Sequence, residues 1–311
     1  MFRLAHFSDI HLGPLPDVTY RELVSKRITG YINWHRSRRG SYHHSIVEAI
    51  VDDMHQAAPH HVALTGDLVN LALDKEIEAA RHWLEKLPFG PDRVSVVPGN
   101  HDAYVPGALD KACRAWAPWM IGDGEPLGAH RGTFPYLRVR DNIALIGLSS
   151  ARATAPFVAA GFFEHDQAAK VARVLDETGR QGLFRVVMIH HPPVRGATGA
   201  HKRLYGIGRF QRMIAEHGAE LVLHGHTHRA TTASIDAPRG ARKVPVIGVP
   251  AGGQSHEEGR TPAQYNLIEI GGRPGDWTVE LSRRGTTGPA MAIKTIRHEI
   301  LHLEGGGVTG E

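Results

Sequence analysis

One phrase, repeated five times, limits most strongly what this chain can fold into. A short apolar run ends abruptly in acidic, amide or imidazole side chains. Phe2–Phe7 runs into Ser8-Asp9-Ile10-His11, and His61–Leu64 into Thr65-Gly66-Asp67. Val94–Val97 runs into Pro98-Gly99-Asn100-His101-Asp102, and Val186–Ile189 into His190-His191-Pro192-Pro193. Leu221–Leu223 runs into His224-Gly225-His226-Thr227-His228. Apolar runs this short, bounded by Gly and Pro, read as buried strands. Helical spacing lies between them: Ile46, Ala49, Ile50 and Met54 within Ser45–Ala57, and Ile77, Ala80, Trp83, Leu84 and Leu87 within Lys75–Leu87. Gln167–Glu177 and Phe210–Ala219 carry the same pattern. Strand alternating with helix argues an α/β fold.

Further strands are expected at Tyr136–Arg140, Ile143–Leu148, Val244–Val249, Tyr265–Ile270 and Trp277–Leu281. This later part is poor in helices, so it is expected to supply antiparallel members of a second sheet. No linker divides the chain, and residues 1–282 are read as one domain. Residues 283–311 are read as a C-terminal extension, with a short helix at Ile293–Leu303 and a disordered Gly305–Glu311. No apolar run reaches the ~18–20 residues of a membrane-spanning helix. The opening MFRLAHFSDIH is no export signal. Cys113 stands alone, which excludes an internal disulfide framework. The expectation is a cytoplasmic protein, at most peripheral to the inner membrane.

In an open α/β sheet, ligands bind beyond the carboxyl ends of the strands. The polar clusters sit there, offering Asp9, His11, Asp67, Asn100, His190, His226 and His228. A mixed oxygen and imidazole set suits Mn, Fe, Zn or Co, and the lack of thiolate argues against a structural zinc knuckle. Gly66, Gly99 and Gly225 permit tight turns that bring the ligands inward. Seven donors are too many for one tetrahedral ion, but they fit two ions that share a carboxylate. Asp9 and Asp67 cancel only part of the charge of such a pair, and the surplus attracts phosphate.

The ordered motifs SDIH, TGD, PGNHD, HHPP and GHTH resemble the calcineurin-like metallophosphoesterase superfamily. The resemblance implies a two-sheet α/β sandwich of mixed sheets flanked by helices. It also implies two divalent or trivalent transition-metal ions, Mn, Fe or Zn. One would be held by Asp9, His11, Asp67 and His228, the other by Asp67, Asn100, His190 and His226, with Asp67 bridging. It further implies hydroxide attack on phosphorus, with Asn100 and His101 contacting the phosphate. His101 would protonate the leaving oxygen, and Asp102 would orient His101 or shape the pocket. The PGNHD and HHPP forms look most like bacterial cyclic-nucleotide and related phosphodiesterases. A UDP-linked lipid pyrophosphohydrolase and a nuclease of the same superfamily are the alternatives.

Other residues carry two readings. His191 reads as a support for its ligand neighbour. His224 reads as a half-buried strand histidine outside the motif. The pairs His43-His44 and His60-His61 read as element boundaries, and Trp116 and Trp119 as core or lid packing. Lys202 and Arg203 are candidates for a phosphate contact, or simply an exposed basic loop. Residues 20–40, YRELVSKRITGYINWHRSRRG, carry six basic residues against Glu22, an excess of five where the whole chain has +4. Tyr20, Val24, Ile28 and Tyr31 follow helical spacing. This insert reads as an amphipathic cap whose apolar face packs beside the metal site, or as an element that contacts an anionic membrane surface. A small phosphorylated substrate is the expected partner. Nucleic acid is not, because no strand groove pairs aromatic with basic residues. An oligomer is compatible with the sequence.

Overall fold

Each of the five apolar runs forms a strand, and the polar residues beyond it form a loop, His224 alone excepted. The computed structural model describes residues 1–38, 43–126, 128–237, 243–256, 259–287, 292–301 and 303. In the first sheet β1 (Phe2–Phe7), β2 (His61–Leu64) and β3 (Val94–Val96) run parallel. The second contains β4 (Tyr136–Arg140), β5 (Ile143–Gly147), β7 (Phe184–Met188), β9 (Leu221–His224), β10 (Thr231–Asp236) and β11 (Lys243–Gly248). Its order is β10-β11-β9-β7-β5-β4, parallel from β11 through β5. The short strands β6 (Gly161–Phe162) and β8 (Leu204–Tyr205) pair with each other. The chain returns to the first sheet through β12 (Gln264–Arg273), β13 (Asp276–Thr286) and β14 (Ile293–Leu301), giving β14-β13-β12-β1-β2-β3.

Alternation along one strand shows how the layers stack. Val186 and Met188 of β7 join the core shared with Leu4, Leu64 and Val96 of the first sheet. Val187 and Ile189 point the other way, into a cluster with Val171 and Leu175 of α6 (His165–Arg180) and Phe210 and Ile214 of α7 (Ile207–His217). Successive side chains of a strand face opposite ways, so a strand covered on both faces must be apolar throughout. Each such side chain contributes about 1.5–3 kcal/mol by leaving water. The first sheet is covered in the same manner by α3 (His44–Gln56) and α4 (Asp74–Lys86), through Ile50, Met54, Ile77 and Leu84. The expected two-sheet sandwich is the observed fold.

Two buried arginines join the sheets at opposite edges. Arg283 of β13 donates from Nη1 to Gly248 O (2.9 Å) and from Nη2 to Thr231 O (3.0 Å), with Glu299 Oε1 3.3 Å from its Nε. Arg138 of β4 donates to the carbonyls of Val94, Pro91, Pro118 and Ile121.

Three expectations are corrected. Ile293–Leu303 is not a helix. Ile293, Ile296 and Ile300 have helical spacing, but Ile296 and Ile300 are exposed, and the segment pairs antiparallel with β13 instead. The ladder satisfies its backbone groups, which an isolated short helix does poorly. The boundary at 282 falls inside β13, so residues 283–286 and 293–301 belong to the sheet; the Gly305–Glu311 expectation lies outside the described residues. Residues 20–38 do not form one amphipathic helix. They break into α1 (Tyr20–Leu23), α2 (Arg27–Asn33) and a π-turn at Trp34–Arg38. Tyr20, Val24 and Ile28, expected to pack inward, are 91%, 85% and 50% exposed. Tyr31, the fourth residue of the pattern, does pack against the core; the other inward contacts belong to Lys26, Arg27 and Gly30, where a Cβ would collide with Tyr104 and Leu71. One helix escaped sequence reading: α5 (Ala108–Ala115), followed by Trp116, fully buried with Nε1 donating to Ile77 O (3.0 Å).

Candidate metal centre

The loops beyond β1, β2, β3, β7 and β9 converge, and their backbone is bent to do so. Nine non-glycine residues have positive φ among the described residues, and five are Asp9, His11, Asp67, His226 and His228. The left-handed region costs a non-glycine residue about 1–3 kcal/mol, so its concentration here marks a site held by its surroundings. The close loop approach also explains two glycines. Gly66, at φ 97°, would place a Cβ 2.5 Å from Gly99 N. A Cβ on Gly225 would collide with Ser8 Oγ and Asp9 Oδ2.

Main-chain groups fix the side chains. His11 Nδ1 lies 3.1 Å from Val69 O, His190 Nδ1 2.6 Å from Thr65 O, and His226 Nε2 2.9 Å from Lys202 O. A carbonyl only accepts, so each of these nitrogens carries the hydrogen, and in the neutral ring the other nitrogen presents a lone pair. Metal-ligating histidines are oriented in this way. Asp9 Oδ2 accepts from His226 N (2.9 Å), and Asp67 Oδ1 from His101 N (2.7 Å).

The remaining atoms face a common space. Asp67 Oδ2 is 3.8 Å from His11 Nε2 and 3.4 Å from His190 Nε2. Asn100 Oδ1 is 3.2 Å from His190 Nε2, and Asp9 Oδ1 is 3.1 Å from His228 Nε2. Two donors about 2.1 Å from one ion, at a tetrahedral angle, stand about 3.4 Å apart. Ligand atoms of His11, Asp67 and His101 lie within 4.8 Å of one another, as do those of Asp9, Asp67 and His190, and those of Asp9, His11 and His228. Asp67 therefore stands between two donor groups, the place a shared carboxylate requires.

Electrostatics supports the fit. Burial opposes ionisation of both carboxyls, yet the imidazoles of His228 and His190 hold Asp9 below the usual range, and those of His190 and His101 hold Asp67 there. Burial lowers His190 too, but Asp67 wins and pushes it up to about 9. Two buried carboxylates thus demand positive charge where the imidazoles meet. Burial, and then His190, lower His226 to about 3, which keeps it in the neutral, ligating form.

A model of the calcineurin-like phosphoesterases matches residues 2–230, from the first strand through the last histidine of the site. The chain belongs to that family. A relative from Synechococcus sp., named a probable cyclic nucleotide phosphodiesterase, is 28% identical over 229 residues, covering 71% of this chain and 76% of its own. A dimetal phosphatase from Danio rerio shares the fold with a TM-score of 0.62 at 13% identity, covering 97% of this chain and 99% of that one. A purple acid phosphatase from yellow lupin seeds matches with a TM-score of 0.53 at 13% identity, covering 91% of this chain and 51% of that one. This calcineurin-like phosphoesterase is accordingly a phosphoester hydrolase with the donors for the family's dinuclear centre.

All seven expected ligands come together in the phosphoesterase, and so does His101, whose Nδ1 meets Asn70 O at 2.5 Å. Three expectations change in detail. Asp102 does not orient the His101 ring. Its carboxylate accepts from Gly99 N (2.8 Å), Asp67 N (2.9 Å), Leu68 N (3.0 Å) and Val69 N (3.3 Å), which binds the TGD loop to the PGNHD loop. Lys202 reaches the site through its carbonyl, while its ammonium is exposed. The exposed Arg203 lies over the Tyr205 ring, 4.4 Å from its centroid.

His191 lies among possible donors with His190 and His226, yet both its nitrogens are engaged, Nδ1 with Ser150 Oγ (2.8 Å) and Nε2 with Ala159 O (3.2 Å). His224 turns away, toward Gly225 O and Thr231. Sequence reading missed Tyr104, whose ring stacks on His101 at 5.3 Å with Lys26 Nζ 4.7 Å from its centroid. An aromatic residue two positions after Asp102 was the available signal; nothing in the sequence linked Lys26 to it.

Proposed function

We propose that the protein hydrolyses a phosphodiester, a cyclic nucleotide or a compound of similar shape. Asp9, His11, Asp67 and His228 would hold one ion, and Asp67, Asn100, His190 and His226 the other. When bound, such a pair polarises phosphoryl oxygens and lowers the pKa of water. The observation that carries the reading is Asp67 between two donor groups, with a His101 nitrogen within 4.8 Å of the donors of Asp67 and His11.

The chain's residues supply the remaining parts. Asn100 and His101 face the phosphate. A phosphodiester leaves behind an alkoxide, which needs a proton, and His101 donates it. Water adds to phosphorus, one P–O ester bond breaks, and a phosphomonoester and an alcohol result. The Asn70 carbonyl fixes the His101 ring, and Tyr104 stacks against it. Lys202 and Arg203, at the rim, attract the substrate's remaining charge. The name of the Synechococcus relative points the same way.

A second reading, hydrolysis of a UDP-linked lipid, is favoured by the exposed apolar residues of α1 and α2 next to Tyr104. A panel with added Mn²⁺ decides: bis-p-nitrophenyl phosphate, p-nitrophenyl phosphate, 3′,5′- and 2′,3′-cyclic nucleotides, and a UDP-linked lipid. Faster turnover of a cyclic nucleotide than of p-nitrophenyl phosphate is expected. Release of UMP from the lipid substrate alone would replace the first reading with the second. Silence across the panel from metal-loaded protein would end both.

A further inference from the structure

Among the described residues, four of the nine exposed large hydrophobic residues, Tyr20, Val24, Ile28 and Ile32, lie within one thirteen-residue stretch. A fifth, Phe157, is 82% exposed and has φ 64°. A bulky side chain in the left-handed region costs energy, and in water this one gains no burial in return. The two segments are joined. Lys26 Nζ donates to Thr154 Oγ1 and Val158 O, each at 2.8 Å, on either side of Phe157. Arg27 Nε holds the other side of the segment through Leu71 O (2.9 Å).

The same surface continues to the basic rim. Ala159 N donates to His201 O (2.8 Å) and Gly161 N to Arg203 O (3.1 Å). Along it Arg21, Arg36, Lys202 and Arg203 are exposed. Glu22, the one acidic residue of the 20–40 stretch, is occupied by Thr19 N and Oγ1. Exposed apolar side chains interleaved with cations fit an anionic lipid interface, which accepts both. A soluble protein partner with an apolar face would leave the cations without use.

We infer that α1, α2 and the Phe157 loop dock on an anionic bilayer surface, with the mouth of the metal site facing the lipid headgroups. The orientation follows from the contacts. Lys26 covers Tyr104, which stacks on His101, and Lys202 receives His226. The docking surface flanks the entrance on its His101 and His226 sides and leaves the donors untouched. It stands whichever phosphoester the site cleaves.

Full-length protein is sedimented with vesicles of equimolar phosphatidylglycerol and phosphatidylcholine, and with phosphatidylcholine alone. Sedimentation with the anionic vesicles, weakened by added salt, is expected. Arg21→Ala with Arg36→Ala should weaken it roughly 30-fold, at roughly fivefold for each basic residue. Val24→Ser with Phe157→Ser should weaken it as well, with hydrolysis of bis-p-nitrophenyl phosphate unchanged in both double variants. Equal binding to both vesicles, or binding indifferent to these changes, overturns the proposal. No binding by protein that hydrolyses the soluble diester also overturns it and leaves the hydrolase reading intact. A dimer in solution that the Val24→Ser and Phe157→Ser changes dissociate would assign the surface to a second copy of the chain instead. Vesicle binding by protein inactive on every ester would keep the surface and reject the hydrolase reading.

Discussion

Around Asp67, main-chain carbonyls fix the rings of His11, His190, His226 and His101, and Asp102 binds four main-chain N–H groups. One stacked ring away, α1 and α2 leave Tyr20, Val24 and Ile28 in solvent and are held by a few hydrogen bonds from Lys26 and Arg27. The first region places its side chains through the backbone, so each ligand depends on where several strands end. The second rests on that frame through individual side chains and can change without moving it. Polar groups are buried where geometry must be exact, and apolar groups are exposed where the surface has another use.

The contrast is broken most completely at Asp67. Asp67→Asn removes the carboxylate between the two donor groups. It should abolish stoichiometric metal by elemental analysis and lower hydrolysis by at least ~10³-fold, the scale of several kcal/mol of lost charge stabilisation. Full metal content in this variant would show that Asp67 does not bridge. His101→Ala should instead keep its metal and lose ~10²–10⁴-fold in turnover. The loss should be larger for an alkyl ester than for a p-nitrophenyl ester, whose leaving group needs little help from an acid. Loss of metal at an unchanged rate would remove His101 from its assigned role. Arg283→Ala leaves the carbonyls of Gly248 and Thr231 without their donor, while the half-buried Glu299 keeps Arg297 at 3.1 Å. It should cost about 2–5 kcal/mol in denaturant unfolding, the scale of two polar groups left without a partner. A cost below ~1 kcal/mol would mean that the sheets are not joined there.

The sequence displayed the centre of the molecule better than its margins. Asp9, His11, Asp67, Asn100, His190, His226 and His228 were legible because metal chemistry restricts residue type, and strand ends restrict position. The core strands were legible because burial on both faces demands continuous apolar residues. β14 was misread because Ile293, Ile296 and Ile300 copy a helical period, and only the free edge of β13 decides the outcome. The role of Asp102 was left between orienting His101 and shaping the pocket because its partners are backbone N–H groups, which every residue has. Tyr104 and Lys26 meet through a contact between distant segments that no local pattern encodes. The basic charge of the 20–40 stretch was legible, but of the apolar residues expected to face inward Tyr31 packs against the core while Tyr20, Val24 and Ile28 face solvent. Apolar spacing names a face without saying what that face meets.

The smallest expected effect tests whether the second region is as separable as its contacts suggest. Lys26 is half-buried, and burial lowers its ammonium to about 8. It remains charged at neutral pH because its depressed value still lies above 7, so its bonds to Thr154 and Val158 are charge-assisted. Lys26→Met keeps much of the aliphatic stem against Tyr104 and removes both bonds. Opening of the segment should become roughly tenfold more frequent, the equivalent of about one net hydrogen bond. Chymotrypsin should then cleave after Tyr31 or Trp34 correspondingly faster under conditions where cleavage reports the open population. Global unfolding should move little, since the sheets, Arg283 and Arg138 are untouched. Turnover of bis-p-nitrophenyl phosphate should stay within about fivefold, because Asn70 O still fixes the His101 ring. A drop in turnover as large as that of His101→Ala would show that Lys26 acts on the phosphate itself. Unchanged cleavage would show that Arg27 and Gly30 hold the segment without it.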